Sequence, residues 1–326
     1  MAPPLRFAVW DGMPDPGAVE EAGKRIGREV ETRVISSNED LERLLASEDR
    51  FDLITPSDYL VEKMIAAGSL LELDHDRLPD VTSLAAWASD PAWDPGNRHS
   101  VPFAFGTTGY LFDRKQVDAP ASWRTLFEPA EGGKVGLLGE VREVVGAALV
   151  AAGHGLNDTG ERQLQDAEAI LTAAAPSVAS VSSDDFISPV REGRVGVHHA
   201  WSGPASRAVS GCDDLDYVLP REGSVLWVTT AAVPADAPDP DAALALVAEL
   251  MRPELARLAV ENGGYSSPNE ATQEVLDRSL ARDPILFPDE SVLRSGLTVE
   301  ALDTRAEKRY EALFERSLGR PLSSGK

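Results

Sequence analysis

Aromatic residues beside carboxylates are the features of this 326-residue sequence best suited to chemistry. They fall where predicted strands end, at Trp10-Asp11, Asp58-Tyr59, Glu140 with Glu143, Trp201 and Trp227. A tryptophan face over an ammonium group contributes about 0.5–2 kcal/mol, and a hydrogen bond to a charged group about 1.5–3 kcal/mol. A set of several tryptophans and carboxylates therefore favours an alkylammonium ligand, although each tryptophan alone is more often part of a core.

The segment FDLITPSDYLVEKM at residues 51–64 predicts how one group of these side chains is positioned. Its first five residues predict a short buried strand, which ends at Pro56 because proline cannot donate to a strand ladder. Ser57 or Asp58 is predicted to cap the helix that follows. Ser57, Asp58 and Tyr59 would then lie at the carboxyl end of a strand, where open α/β sheets bind ligands. A plain strand-to-helix turn without a ligand is the alternative.

Two blocks of alternating strands and helices are predicted to hold these residues. The first has strands at 6–10, 29–35 and 51–55, and its order of elements predicts a parallel sheet covered by helices. Asp15 opens its first helix, which ends at Gly27. The second block has strands at 134–138, 178–181, 195–200, 215–219 and 225–233, and residues 139–143 form the turn into a helix. Later predicted helices begin at Asp239-Pro240, at Pro253 and near Val299, and residues 323–326 form a frayed tail.

Residues 100–113 are predicted to form two β segments around Gly106-Thr107-Thr108-Gly109. Small residues that interrupt a strand are typical of a hinge, where backbone dihedrals change. A tight bend without motion is the alternative.

Charge and cysteine content exclude several classes of partner. The chain has 54 acidic and 31 basic residues, for a formal net charge of −23, which argues against nucleic acids or anionic membranes and suits a cationic ligand. Cys212 is the only cysteine, so there is no internal disulfide and no cysteine metal cluster.

The sequence shows no segment for membrane insertion or export. No apolar run reaches the ~20 residues of a membrane span, and the first residues do not form a signal peptide. Either a signal has been removed or the protein stays inside the cell.

Catalytic and cofactor motifs are absent from the sequence. It has no Walker loop, no G-x-S-x-G elbow, no H-E-x-x-H and no kinase signature, so neither an enzyme nor a cofactor is predicted. His198 and His199 are adjacent on a predicted strand, where one side chain should point inward and the other outward, so a shared metal is not expected.

Motifs spread over nearly the whole chain resemble the spermidine/putrescine-binding proteins of bacterial ABC importers. They are FAVW near the start, D-L-x-x-P-S-x-Y-x-V-x-K-M at 52–64, S-V-P-F at 100–103, R-E-V at 142–144, E-G-x-V-x-x-x-x-x-W at 192–201, E-G-x-x-x-W at 222–227 and G-Y-x-x-P-N at 264–269. Singly these motifs are weak. In this order and spacing they are specific for the fold.

The resemblance implies an α/β fold of the type II periplasmic-binding-protein class, with two lobes joined by crossing strands and a ligand cleft between them. Lobe 1 would comprise residues 1–105 and 228–273, and lobe 2 residues 106–227 and 274–326. The implied ligand contacts are Trp10, Ser57, Tyr59, Glu143, Trp201, Trp227 and Tyr265, with Glu140 as a second acid. A small cationic amine and an ABC permease are the implied partners of a monomeric, extracytoplasmic protein.

Three positions depart from the polyamine-site pattern. Met13 stands where the family has a tyrosine, Thr229 where it has an acid that holds an ammonium group, and Val299 where a polar contact is expected. Asp11, in place of a small polar residue, would compensate partly. Loss of one charged bond of ~2 kcal/mol weakens binding about thirtyfold, so the resemblance implies a transport-type binding role more specifically than it implies a polyamine as the ligand. The alternative function is an intracellular polyamine-type sensor that signals through a partner protein.

Overall fold

The computed structural model describes residues 2–118, 122–129 and 131–319. These residues contain nine β-strands. They are β1 (Leu5–Trp10), β2 (Val30–Ile35), β3 (Leu53–Ile54), β4 (Ser100–Asp113), β5 (Val135–Leu137), β6 (Val178–Val181), β7 (Val197–Trp201), β8 (Leu215–Val218) and β9 (Val225–Ala232). The predicted tail at 323–326 lies outside the described residues.

The described residues also contain thirteen α-helices, and none is long and apolar enough to cross a membrane. They are α1 (Pro16–Ile26), α2 (Asn38–Leu45), α3 (Asp58–Ala66), α4 (Arg124–Phe127), α5 (Val141–Ala151), α6 (Glu161–Ala174), α7 (Ser188–Arg191), α8 (Ser202–Ser210), α9 (Pro240–Leu250), α10 (Pro253–Leu258), α11 (Glu270–Glu274), α12 (Glu290–Arg294) and α13 (Thr304–Leu318).

The chain divides into two compact units. Unit 1 comprises residues 2–106 and 227–287, and unit 2 comprises the described residues of 107–226 and 288–319. The chain passes from one unit to the other within β4, within β9 and after residue 287. The lobe boundaries implied by the resemblance stay a prediction.

Unit 1 contains the parallel sheet that the βαβαβ pattern predicts. β1 pairs in parallel with β2 on one side and with β3 on the other, and Ile54 of β3 pairs with Ala232 of β9 in antiparallel fashion. The prediction for the first helix holds as well. Asp15 caps α1 by accepting from Gly17 N at 2.8 Å, and Gly27 ends it with φ of 69°, a conformation that favours glycine.

Unit 2 is built around β7, the strand that ends at Trp201. β7 pairs in antiparallel fashion with β4 and in parallel with β5, while β5 also pairs in parallel with β6 and β4 also pairs with β8. Helix α5 follows β5 and buries its residues 144–151, and α13 packs against α5 and α6. The fold therefore brings the end of β7 and the beginning of α5 into the same unit.

The prediction of two β segments within residues 100–113 is wrong, because β4 is one continuous strand of 14 residues. Its two glycines, Gly106 and Gly109, allow neighbouring atoms to lie close to the strand backbone. A Cβ on Gly106 would overlap with the ring of Trp227, and one on Gly109 would overlap with the carbonyl oxygen of Val218. Glycine stands at these two positions of the strand because neighbouring atoms occupy the space that a larger side chain would need.

Two helix starts differ from the predictions. α5 begins at Val141, so Glu143 lies in the first helical turn instead of in a turn that precedes the helix. α13 begins at Thr304 instead of near Val299, because the Asp303 carboxylate accepts from Ala306 N at 2.8 Å and caps the helix there.

The expectation that one of His198 and His199 points outward is wrong. Both side chains are fully buried because both faces of β7 are covered. The ring of Phe186 lies 6.0 Å from the ring of His198, and the ring of Trp123 lies 5.3 Å from that of His199.

Candidate ligand-binding site

A carboxylate held by an indole is the central feature of the candidate site in unit 2. Trp201, the last residue of β7, donates from Nε1 to Oε1 of Glu143 at 3.0 Å. The other oxygen, Oε2, is buried and has no hydrogen-bond partner among the described residues. Only 12% of the Glu143 side chain is exposed. Such a carboxylate has one oxygen fixed by the protein and one available to a ligand that donates.

Burial changes the protonation of this carboxylate. Desolvation raises the pKa of Glu143 to about 7, and the negative charge of Glu140 acts in the same direction. The nearby hydroxyl of Thr108 and, to a smaller extent, the indole of Trp201 oppose the rise. A cation placed beside Glu143 would remove the cost of its buried charge, so the site favours a positively charged group.

Glu140, the second predicted acid, precedes α5 at its N-cap position but does not cap it with its side chain. Its Oε1 accepts from the hydroxyl of Ser183 at 3.1 Å, and that hydroxyl accepts from Gly139 N at 3.0 Å. Glu140 therefore belongs to a structured turn, and Ser183 is a residue that the sequence analysis did not connect with it.

In unit 1, Ser57 and Tyr59 are joined by a residue that the sequence did not identify as part of a site. Asn38 donates from Nδ2 to Ser57 Oγ at 3.0 Å and to Tyr59 Oη at 2.8 Å, and its Oδ1 accepts from Ser57 N at 3.1 Å. Ser57 occupies the N-cap position of α3 without a capping bond from its side chain, and Asp58, the other predicted candidate, is the one that accepts a backbone N–H there, from Tyr59 at 2.9 Å. No pattern in the sequence connects Asn38 with residues 57–59.

A second group in unit 1 consists of Trp227, Tyr265 and Asp11. The rings of Trp227 and Tyr265 meet edge to face, with centroids 6.3 Å apart. Tyr265 donates from Oη to the backbone oxygen of Asp11 over a long 3.4 Å. The Nε1 atom of Trp227 is buried without a hydrogen-bond partner among the described residues. This group offers ring faces and an unused N–H donor.

Trp10 and Thr229 are fixed by backbone contacts within unit 1. Trp10 donates from Nε1 to the backbone oxygen of Thr55 at 2.8 Å, so its ring face is the part left for a ligand. Thr229 forms an isolated antiparallel bridge with Ser57 and is 4% exposed. Met13, one of the departures from the family pattern, is 5% exposed and belongs to the core.

Asp58 is buried between its neighbours Ser57 and Tyr59. Its Oδ1 accepts from Tyr59 N at 2.9 Å, but its Oδ2 has no hydrogen-bond partner among the described residues. Desolvation raises the pKa of Asp58 to about 7. Asn38 contacts both neighbours of Asp58, and the backbone hydrogen bond from Tyr59 links Asp58 to the same group of residues.

The structure thus groups the predicted residues into three small sets. Glu143 pairs with Trp201 in unit 2, Ser57 joins Tyr59 and is bridged to Thr229 in unit 1, and Trp227 meets Tyr265 and Asp11 in the same unit. Glu140, Trp10 and Asp58 have other partners. The described residues contain no group of three or more histidine, cysteine, aspartate or glutamate side chains that could hold a metal ion.

Comparison with known proteins identifies the family. The model of the bacterial extracellular solute-binding protein family matches residues 17–288. The spermidine/putrescine-binding periplasmic protein of Escherichia coli is 31% identical over 296 residues, which cover 90% of this chain and 85% of that protein. The putrescine/cadaverine-binding protein of Pseudomonas aeruginosa is 28% identical over 306 residues, which cover 89% and 86%.

A solved structure agrees with this assignment. The spermidine/putrescine ABC transporter substrate-binding protein PotD from Streptococcus pneumoniae superposes with a TM-score of 0.84 at 26% identity, covering 97% of this chain and 98% of that chain. The chain therefore belongs to the bacterial extracellular solute-binding protein family. The resemblance and the α/β fold class predicted from the sequence are confirmed.

Proposed function

We propose that this protein binds a small cationic amine of the polyamine type and delivers it to an ABC permease. The observation that carries the proposal is the buried carboxylate of Glu143, which has one oxygen fixed by Trp201 and the other without a partner. A buried charge without a counter-charge is costly, and an ammonium group would supply both the counter-charge and the missing hydrogen bond.

The other residues support the same ligand class. Trp201 offers an indole ring next to the carboxylate, and cation–π contact with tryptophan favours ammonium groups. The net charge of −23 attracts cations towards the protein. The relatives from E. coli and P. aeruginosa are named for spermidine, putrescine and cadaverine, which are all alkylammonium ions.

The proposal extends to the setting in which the ligand is bound. Relatives described as periplasmic support a place outside the cytoplasm, and the name of the S. pneumoniae protein supports work with an ABC transporter. We propose a monomer that acts by binding and release without catalysis. Cell fractionation of the full gene product tests the location, and light scattering with and without ligand tests the monomer.

A melting-temperature screen tests the ligand class directly. A ligand that binds only the folded state raises the free energy of unfolding by about 2.7 kcal/mol at a hundred times its dissociation constant. The screen uses putrescine, spermidine, agmatine, quaternary amines, amino acids and neutral sugars at equal concentration and ionic strength. We expect putrescine or spermidine to raise the melting temperature most. If only anions or sugars raise it, the proposed ligand class is wrong.

A further inference from the structure

Strand β2 (Val30–Ile35) is an open edge of the sheet in unit 1. It pairs with β1 and with no other strand among the described residues. Its residues 31–34 are all exposed, whichever face of the strand they lie on, so neither α1 nor α2 covers this edge. An open edge presents unpaired backbone N–H and C=O groups, to which another strand can add.

The hydrogen bonds between β1 and β2 determine which backbone groups face outward. Leu5 N donates to Glu29 O at 2.8 Å, and Leu5 lies opposite Val30 in the parallel register. Alternate residues of a strand bond to the same neighbour, so β1 uses the backbone groups of the odd-numbered residues of β2. The N–H and C=O groups of the even-numbered residues, Val30, Thr32 and Val34, therefore point to the open edge.

The sequence of β2 complements itself when a second copy of the strand runs antiparallel about Thr32. In that register Thr32 faces Thr32 of the second copy, Glu31 faces Arg33, and Val30 faces Val34. The arrangement is two-fold symmetric, so the Glu31 and Val30 contacts each occur twice. The register also suits the backbone, because the outward groups of the even-numbered residues meet each other in hydrogen-bonded pairs.

Charge selects this register over its neighbours. Glu31 and Arg33 are exposed, and neither has an ion-pair partner among the described residues. Opposite charges directly across a strand pair stabilise it, and like charges destabilise it. A shift of one strand by two residues would place Glu31 opposite Glu31 or Arg33 opposite Arg33. A shift by one residue would set the outward backbone groups against residues whose groups point to β1.

The same pairing covers an exposed apolar side chain. Val34 is 52% exposed. Val30, which it would face in the second copy, lies against α1, since a Cβ on Gly23 would lie 3.0 Å from Cγ2 of Val30. Even-numbered residues of the strand share this face. Each Val34 would therefore gain an apolar neighbour that is already packed on its own helix.

We infer that β2 is a self-association surface, through which two copies of this chain pair edge to edge about Thr32. Six residues at ~3.3 Å each give a paired edge of about 20 Å, which is a small contact beside the ~1,200–2,000 Å² of a stable interface. The net charge of −23 on each copy also opposes their approach. The dimer is therefore weak, and the monomer proposed above predominates at low micromolar concentration. The inference goes beyond the proposed function and does not depend on it.

Sedimentation equilibrium of the wild-type protein, from about 10 to about 500 μM, tests whether it dimerises. At 0.15 M salt the Debye length is ~8 Å, so long-range repulsion between the copies is largely screened. We expect the average mass to rise from that of a monomer towards that of a dimer, with a dissociation constant on the order of 10⁻⁴ M. A mass that stays monomeric over the whole range overturns the inference.

Charge reversal tests the register of the pair. Arg33→Glu places glutamates opposite each other and Glu31→Arg places arginines opposite each other, so each variant alone should dimerise roughly tenfold more weakly. An equimolar mixture of the two variants should dimerise again, because every glutamate then faces an arginine of the other variant. Arg278→Glu is the control, since it changes the net charge equally at an exposed arginine of the same unit outside β2.

Thr32→Pro tests the backbone pairing. Proline removes the outward N–H of residue 32, which β1 does not use, so the dimer should be lost while the melting temperature of the monomer stays nearly unchanged. If the proline and charge variants dimerise as the wild type does, or if the mixture stays monomeric, the copies do not pair through β2 and the inference is wrong. The charge variants keep the test valid if the proline variant fails to fold. Amine binding is measured separately by the melting-temperature screen, so the inference and the proposed function can each fail alone.

Discussion

The indole ring of Trp227 lies directly over the backbone of Gly106, where a Cβ atom would overlap with the ring carbons. Gly106 is thus the residue that allows Trp227 to reach its position next to Tyr265, with ring centroids 6.3 Å apart. Packing at this point admits no side chain.

Gly106→Ala should therefore displace the ring of Trp227. We expect a loss of about 1–3 kcal/mol in the free energy of unfolding from overpacking, together with weaker amine binding because the ring face moves. Urea unfolding and titration calorimetry with putrescine measure the two effects. Gly211→Ala is the control, since a Cβ there would meet only ordinary contacts at 3.5 Å. If the Gly106 variant matches this control in both measurements, the ring is not held by the glycine.

Glu143→Gln should lower the affinity for putrescine without lowering the free energy of unfolding. Glutamine keeps an oxygen that can accept from Trp201, but it removes the negative charge, so the affinity for putrescine should fall tenfold or more through the loss of ~1.5–3 kcal/mol. The free energy of unfolding at pH 8 should stay equal or rise, because a buried charge is removed. Glu168→Gln, which neutralises an acid of the same unit paired with Arg316, controls for net charge. A Glu143 variant that loses stability but no affinity would mean that the residue only supports the helix.

Binding of an ammonium ion should depend on pH through Glu143. The pKa of this carboxyl is raised to about 7, so at pH 6 only about a tenth of the free protein has it ionised, and the apparent affinity should be about tenfold lower than at pH 8. The amine stays protonated throughout. Calorimetry with putrescine at pH 6, 7 and 8 should also detect proton release below pH 7. The Glu143→Gln variant should show a flat profile, and equal wild-type affinity at pH 6 and pH 8 would contradict the assignment.

The sequence predicts elements best where one local signal decides them. The cap at Asp15, the end of α1 at Gly27 and the parallel order of β1, β2 and β3 follow from local chemistry and alternation, and the structure confirms them. Prediction from the sequence fails where residues far apart in the chain determine the local structure. The glycine at position 106 of β4 is required by Trp227, which fills the space above Gly106 from more than a hundred residues away.

The same limit applies to the candidate site. The acids and aromatics are visible in the sequence because their types suggest ammonium binding. Asn38 and Ser183 are not visible as site residues, because polar residues of these types have many ordinary roles in turns and at the ends of helices. Their importance comes from hydrogen bonds between residues far apart in the chain, such as Asn38 with Ser57 and Ser183 with Glu140.

Asp58→Asn tests whether the buried carboxyl of Asp58 binds a ligand or only lowers the stability of the folded protein. Its pKa in the folded protein is about 7, above the value of 3.8 expected without burial. The folded state thus binds the extra proton between these values, and stability is lost as the pH rises from about 4 to about 7. The variant should be more stable than the wild type by about 1–4 kcal/mol at pH 8 and equal to it near pH 4.

Urea unfolding at pH 4, 6 and 8 measures this difference, and calorimetry with putrescine follows the affinity. Asparagine can still accept from Tyr59 N, so the local backbone contact is kept. Unchanged affinity with the expected gain in stability assigns Asp58 to the fold. A loss of affinity at pH 8 would instead support the sequence prediction that Asp58 contacts the ligand.

Thr229→Asp tests what the site in unit 1 accepts. Thr229 is buried and bridged to Ser57, and the nearest predicted contact along the strand, Trp227, has a buried N–H without a partner. A carboxylate at this position would give a second ammonium group a charged partner, so the variant should bind putrescine more tightly by about 1–3 kcal/mol. A ligand with one ammonium group and a carboxylate at its other end, such as 4-aminobutyrate, should bind more weakly through repulsion. Thr229→Asn is the control, because it has nearly the same shape as aspartate and no charge. Calorimetry measures the affinity of both variants for both ligands. If the aspartate and asparagine variants have the same affinity for each ligand, residue 229 lies outside the site. The alignment that assigns an acid to this position in the family would then be wrong.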